Sequence, residues 1–262
     1  PPTMTNNKSE TSVAMCDHRP INRRTVLAGS AALALAAHAG AAPAYGQDVE
    51  PYIAPPVPIE DGTAALTPDQ ALERLRHGNA AFVADRLPQI DLGRARREVL
   101  QEGQAPFCAI VACSDSRVAP ELIFGEGLGK MFIIRNAGNT VDTLAMGSLE
   151  FAVGVLKVPL VVVLGHEACG AVKAAMSVVS ENAHFPGAMG RMLEPIVPAV
   201  LAARGEAGDA TSNAIRHNVR RIVQGLRDES QPVLRDPQLA GTVKVVGAEY
   251  MLDGAVDFFD VV

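Results

Sequence analysis

Three apolar runs of strand length punctuate the chain: Phe107–Ala112, Met131–Arg135 and Leu160–Leu164. None alternates apolar with polar positions, so each reads as a strand covered on both faces, as in a parallel sheet. Between the second and third, Val141–Leu156 is long and periodic enough for a crossover helix, and Gly170–Val179 continues after the third as another. This β-α-β-α rhythm predicts an α/β fold: a mostly parallel β-sheet flanked by helices, with right-handed crossovers. Ahead of the sheet, Thr67-Pro68-Asp69-Gln70 makes a capping box with Pro at the first helical position, predicting a helix from about Pro68 to Ala84. In the second half, Met189–Ala203 and Ser212–Asp228 are amphipathic and predict helices. The arginines of the latter, Arg216, Arg220, Arg221 and Arg227, read as a solvated or interface face. Thr242–Ala248 and Ala255–Asp260 read as a closing pair of strands around an Asp253-Gly254 turn.

The N-terminal region follows a different pattern. Paired Arg23-Arg24 precede an Ala/Leu stretch from Leu27 to about Ala39, and small residues follow around Ala42-Pro43-Ala44. A charged region, a short apolar region and a small-residue site in that order read as a signal peptide, with the arginine pair resembling a twin-arginine leader. The apolar stretch is too short and Ala-rich for a membrane anchor. Export to the periplasm, or otherwise out of the cytoplasm, is the expectation. Pro51, Pro55, Pro56 and Pro58 mark an extended arm before the first helix. The expected organisation is a leader over 1–46, a Pro-rich arm over 47–65 and one domain over 66–262.

Net charge is −6, and removal of residues 1–44, which carry four basic and two acidic side chains, leaves −8. An acidic chain with 4% aromatics and no Trp gives no support to a nucleic-acid surface. No internal repeat is present. Gly125-Glu-Gly-Leu-Gly-Lys130 imitates a phosphate loop, but Phe124 stands where that motif needs Gly and Met131 where it needs Ser or Thr. It reads as a helix-to-strand turn. His77, His184 and His217 have no ligand-spaced partner and read as surface residues.

Two short segments carry chemistry: Cys113-Ser-Asp115-Ser-Arg117 and His166-Glu-Ala-Cys169-Gly170. Two thiols and an imidazole form a ligand set suited to zinc, and three protein ligands leave a fourth position open for water, as in catalytic zinc sites. Arg117 can hold Asp115 ionised and oriented beside them. Cys113 closes the first apolar run and His166 follows the third by two residues, so both fall at the carboxyl ends of parallel strands, where sites form in open sheets. Cys169 opens the following helix, whose N–H groups and dipole favour a thiolate. A Cys113–Cys169 disulfide is the competing reading. Cys108, within an apolar run, reads as a buried structural thiol.

These segments, together with Arg135-Asn-Ala-Gly-Asn139, Ser148-Leu-Glu-Phe151, Gly165–Ala171 and Gly247-Ala-Glu-Tyr250, resemble a β-class carbonic anhydrase from about Leu66 to the C-terminus. The resemblance implies reversible hydration of CO2 to bicarbonate and a proton by a zinc-bound hydroxide. It implies one zinc per chain on Cys113, His166 and Cys169, with Asp115 and Arg117 as the catalytic dyad. Asp115 is also a possible fourth zinc ligand in an inactive state. The pocket is expected from Gln104, Phe132 and Phe151, with the Gly170 N–H binding substrate oxygen. Phe151 replaces a Tyr usual in the plant-like branch, and Val155 falls where some members carry a His proton shuttle. Members with an inhibitory bicarbonate site use a Trp, which this chain lacks, so no such regulation is expected. A homodimer or tetramer is implied. The alternative in the same fold is a hydrolase of carbonyl sulfide or carbon disulfide.

Overall fold

Valine, isoleucine and leucine fill the central strands because each strand is covered on both faces, and the two faces sort residue by residue. The computed structural model describes residues 66–228 and 232–261. The leader and arm expected over 1–65 lie outside them. Five strands form one sheet: β1 (Cys108–Cys113), β2 (Met131–Asn136), β3 (Leu160–His166), β4 (Lys244–Tyr250) and β5 (Val256–Asp260), in the order β2-β1-β3-β4-β5. β1 to β4 are mutually parallel, and β5 returns antiparallel to β4 after the Asp253-Gly254 turn.

Residues of even number in β1 and β3, such as Ile110, Ala112, Val162 and Leu164, pack on Ala71, Leu72 and Leu75 of helix α1 (Pro68–Val83). The odd-numbered Val111, Val161 and Val163 pack on the opposite face. There they meet Leu149 and Val153 of α4 (Thr143–Gly154) and Val219 and Val223 of α8 (Ala210–Arg227). The remaining helices are α2 (Arg94–Val99), α3 (Pro120–Ile123), α5 (Gly170–Glu181), α6 (Ala188–Leu193), α7 (Val197–Ala202) and α9 (Pro232–Leu239). The capping box holds α1 as its sequence predicts, with Thr67 Oγ1 accepting from the Gln70 N–H at 3.3 Å and Gln70 Oε1 accepting from the Thr67 N–H at 2.9 Å. Gly125–Lys130 is the turn between α3 and β2, as expected.

Three expectations change. The third strand runs on to His166 instead of ending two residues before it, because His166 pairs with Tyr250 of β4. Met189–Ala203 is not one helix: Pro195 and Pro198 each lack an N–H, so the chain passes through a 3-10 turn at Glu194–Ile196 between α6 and α7. The arginines of α8 are not all a solvated face. Arg216 pairs with Glu249 and Asp257, and Arg227 pairs with Asp260 and donates to the Val245 carbonyl, tying α8 to the closing strands. Among the described residues, no helix is long and apolar enough to cross a membrane.

Candidate metal centre

The site forms where β1 and β3 end side by side. Ala112 lies opposite Leu164, so Cys113 falls level with Gly165 and one residue short of His166. Gly165 is required for close packing: a Cβ there would come within 2.7 Å of Val219 and 3.0 Å of Ile215 on α8. Beyond His166 the chain turns sharply through Ala168, whose φ of 57° is left-handed. That conformation costs an L-residue about 1–2 kcal/mol. Tertiary contacts hold it: the Glu167 N–H donates to the Tyr250 carbonyl at 2.8 Å, and Glu167 Oε2 accepts from the Leu252 N–H at 2.9 Å. The turn delivers Cys169 to the N-cap of α5, with Gly170 as the first helical residue and open space about its Cα.

Cys113, His166 and Cys169 are all buried, and their ligand atoms lie within 4.8 Å of one another. Both thiols are free, which removes the disulfide reading. The hydrogen bond between them draws the Cys113 thiol down, and the same bond together with burial pushes Cys169 up. The Ala171 and Val172 N–H groups at the start of α5 act in the opposite sense on Cys169. His166 turns Nδ1 toward the Glu167 carbonyl at 2.9 Å, while its buried Nε2 has no partner. A buried imidazole nitrogen without a hydrogen bond, facing two sulfurs of which one is readily ionised, fits a soft divalent cation. The carbonyl contact on the other nitrogen is the usual orienting partner of a metal-binding His.

The rim carries the Asp115–Arg117 pair. Arg117 Nε donates to Asp115 Oδ1 at 2.9 Å and Nη2 to Oδ2 at 2.8 Å, and the Arg117 backbone N–H reaches Oδ1 at 3.0 Å. This guanidinium holds the Asp115 carboxyl well below the usual carboxylate range. Asp115 stands outside the three-residue ligand cluster, with both oxygens engaged by Arg117.

Sequence reasoning overlooked two supports. Arg135 on β2 donates from Nε to the Cys113 carbonyl at 2.9 Å and from Nη2 to the Asp115 carbonyl at 2.8 Å, fixing the loop that carries both. The Gly138 N–H donates to Cys113 Sγ at 3.3 Å from a left-handed backbone, φ +82°. Gly138 lies in the Arg135–Asn139 segment, but its contact with the sulfur depends on the fold.

Of the residues expected at the site, the fold brings together Cys113, Asp115, Arg117, His166, Cys169 and Gly170. It does not bring Gln104, Phe132 and Phe151 to them within one chain. Phe132 pairs with Ala109, four residues before Cys113 along β1; at a rise of ~3.3 Å per residue this is about 13 Å toward the opposite edge of the sheet. Phe151, near the end of α4, has its ring 6.2 Å from that of Phe132, and Gln104 is exposed ahead of β1. His77 and His184 are exposed as expected, whereas His217 is half-buried and bonds Glu206 at 2.7 Å.

A buried Cys-His-Cys triangle that could hold a metal, at the carboxyl edge of a parallel sheet and beside a locked aspartate, defines an α/β protein with a candidate metal centre. Comparison with known proteins narrows the class. The carbonic anhydrase family matches residues 108–256. A carbonic anhydrase of Mycolicibacterium smegmatis is 39% identical over 191 residues, 72% of this chain and 92% of its own length. Carbonic anhydrase 2 of Mycobacterium tuberculosis is 38% identical over 186 residues, 71% of this chain and 89% of its own. Among solved structures, the β-carbonic anhydrase CcaA superposes with a TM-score of 0.57 at 27% identity, covering 72% of this chain and 98% of that one. One of two tetrameric β-carbonic anhydrases from Sordaria macrospora gives 0.56 at 25% identity, covering 70% and 93%. The chain belongs to the β-carbonic anhydrase family.

Proposed function

We propose that the chain catalyses the reversible hydration of CO2 to bicarbonate and a proton, with zinc held by Cys113, His166 and Cys169. The buried triangle those three form, with the partnerless His166 Nε2, carries the reading. Bound there, zinc supplies the Lewis acidity that lets water lose a proton near neutral pH. Asp115, kept ionised by Arg117, accepts a hydrogen bond from the attacking oxygen and turns its lone pair toward the carbon of CO2. The Gly170 N–H at the start of α5 and the Gln104 amide bind bicarbonate oxygens. Phe132 and Phe151 provide an apolar surface for CO2. With Val155 at the position of a possible internal His shuttle, the proton passes to buffer.

Because Gln104, Phe132 and Phe151 lie toward the far edge of their own sheet, they serve as pocket residues when a second copy supplies them. The working unit is therefore a homodimer, alone or paired into a tetramer. Support comes from β2, an edge strand with Met131, Phe132, Ile133 and Ile134 only half-buried. An apolar, unpaired edge of this kind calls for a cover. Hydrolysis of carbonyl sulfide or carbon disulfide would use the same ligands, but the carbonic anhydrase names of the relatives favour CO2. The paired arginines and small-residue site over 1–46 support export by the twin-arginine route, which moves a folded, metal-loaded protein and so protects a two-thiolate site from oxidation. The test is stopped-flow CO2 hydration on protein of known zinc content. Hydration should scale with zinc and be lost on chelation; zinc-replete protein that only hydrolyses the sulfur analogues would overturn the reading.

A further inference from the structure

Asn218 sits in the middle of α8 among Ala214, Ile215 and Val219, with 1% of its surface exposed. A primary amide in an apolar stripe is costly unless its hydrogen bonds are met. Here one end is met and the other is not: Nδ2 donates to the Gly138 carbonyl at 3.0 Å, and buried Oδ1 has no partner. Gly138 is the residue whose N–H donates to Cys113 Sγ at 3.3 Å. Thus a single left-handed glycine is held on its carbonyl side by Asn218 and on its amide side by a ligand sulfur. Asn139 is left-handed too, at φ 47°, so the turn consists of two residues in a sparsely populated conformation. The peptide joining them is held on both sides: its N–H, from Asn139, donates to the Asn136 carbonyl at 3.2 Å, and its carbonyl, from Gly138, accepts from Asn218. Such a conformation persists because its surroundings hold it.

We propose that Asn218 is a positioning residue for the metal centre: by fixing the Gly138 carbonyl it aims the Gly138 N–H at Cys113 Sγ. The inference rests on Cys113 being a zinc ligand. An N–H···S bond draws electron density from the ligand sulfur, so it acts on metal affinity and on the electronics of the ligand together. The hydrogen bond of Asn218 goes to Gly138 and not to a ligand, so its effect passes through one glycine. A purely structural Asn218 would anchor α8 to the loop after β2 and leave the sulfur unaffected.

Three full-length variants distinguish these roles. Asn218→Leu keeps volume and removes the donor, Asn218→Asp keeps shape and replaces the donor with an acceptor, and Val223→Ala opens a cavity on the same helix away from Gly138. Zinc affinity is measured by chelator competition on folded protein, and the thiolate-to-metal charge-transfer band is recorded after cobalt substitution. Both Asn218 variants should bind zinc about tenfold or more weakly, the usual scale for loss of a ligand's outer partner, and the cobalt band should move to lower energy. Val223→Ala should lose thermal stability with affinity and band unchanged. In cadmium-substituted wild type, a scalar coupling between the metal and the Gly138 amide proton should report the N–H···S bond directly, whether or not the variants fold. Wild-type affinity and band in a folded Asn218 variant, equal losses in Val223→Ala, or no such coupling would each overturn the proposal. Failure of the wild type to bind zinc at all would instead remove the reading on which it rests.

Discussion

Arg117 grips both carboxylate oxygens of Asp115, at 2.9 and 2.8 Å, although the pair sits at the rim with Arg117 about half exposed, at 48%. Its value is geometric. A bidentate guanidinium fixes the plane of the carboxylate beside the metal ligands and keeps it ionised. Arg117→Ala should therefore release Asp115 toward the metal, lowering kcat/KM by roughly 10–100-fold, the range for lost outer partners of metal ligands. Zinc content should hold. Stopped-flow rates and metal analysis on the same sample decide it; a wild-type rate would take the pair out of the mechanism.

Gly138→Ala tests the turn under Cys113. The new Cβ would come within 2.5 Å of Ile196 Cδ1, in a backbone of φ +82°. Strain of this kind costs on the order of 1–3 kcal/mol, to be read from urea denaturation. An unchanged midpoint would mean that the loop accommodates a side chain.

Glu249 gives a prediction in pH. Its side chain is 3% exposed, and burial raises its pKa despite the opposing charge of Arg216. A carboxyl raised in the folded state contributes stability below its unfolded pKa and loses it as pH rises through the folded value. Glu249→Gln should thus melt like wild type near pH 4, about the unfolded value of Glu, and above wild type near pH 8. A variant less stable at pH 8 than wild type would show that the Arg216 contact outweighs the burial.

The dimer reading predicts complementation. Cys169→Ala lacks a ligand, and Gln104→Ala with Phe132→Ala lacks pocket groups; each alone should be nearly inactive. Mixed and refolded together, they should regain activity, because a hybrid dimer pairs intact ligands from one chain with an intact pocket from the other. If the mixture gains nothing over its components, both sets serve the same chain's site or the pocket assignment fails.

What was legible in the sequence is what depends on local pattern. The run Phe107–Ala112 indicated a strand covered on both sides, Thr67–Gln70 gave the first helix, and the two ligand segments indicated a shared sheet edge because parallel strands end together. The helix expected over Met189–Ala203 was overextended: its periodicity is genuine, but Pro195 and Pro198 outweigh it. His166 looked like a loop residue because strand pairing with Tyr250 is invisible until β4 is placed. Gln104, Phe132 and Phe151 matched a family pattern by spacing, yet spacing does not say which edge of the sheet they occupy; the register of Phe132 with Ala109 does. Arg135 stood in a segment that matched the family pattern, but what it and Asn218 hold lies across strands and helices far apart in sequence, so their contacts had no local signal.

The most direct measurement is CO2 hydration by stopped flow alongside metal analysis, for full-length wild type and Cys169→Ala. The wild type should carry about one zinc per chain and hydrate CO2 rapidly at neutral to alkaline pH, while the variant should lose zinc and activity together. Stoichiometric zinc in Cys169→Ala, or zinc-loaded wild type no faster than buffer, would contradict the account.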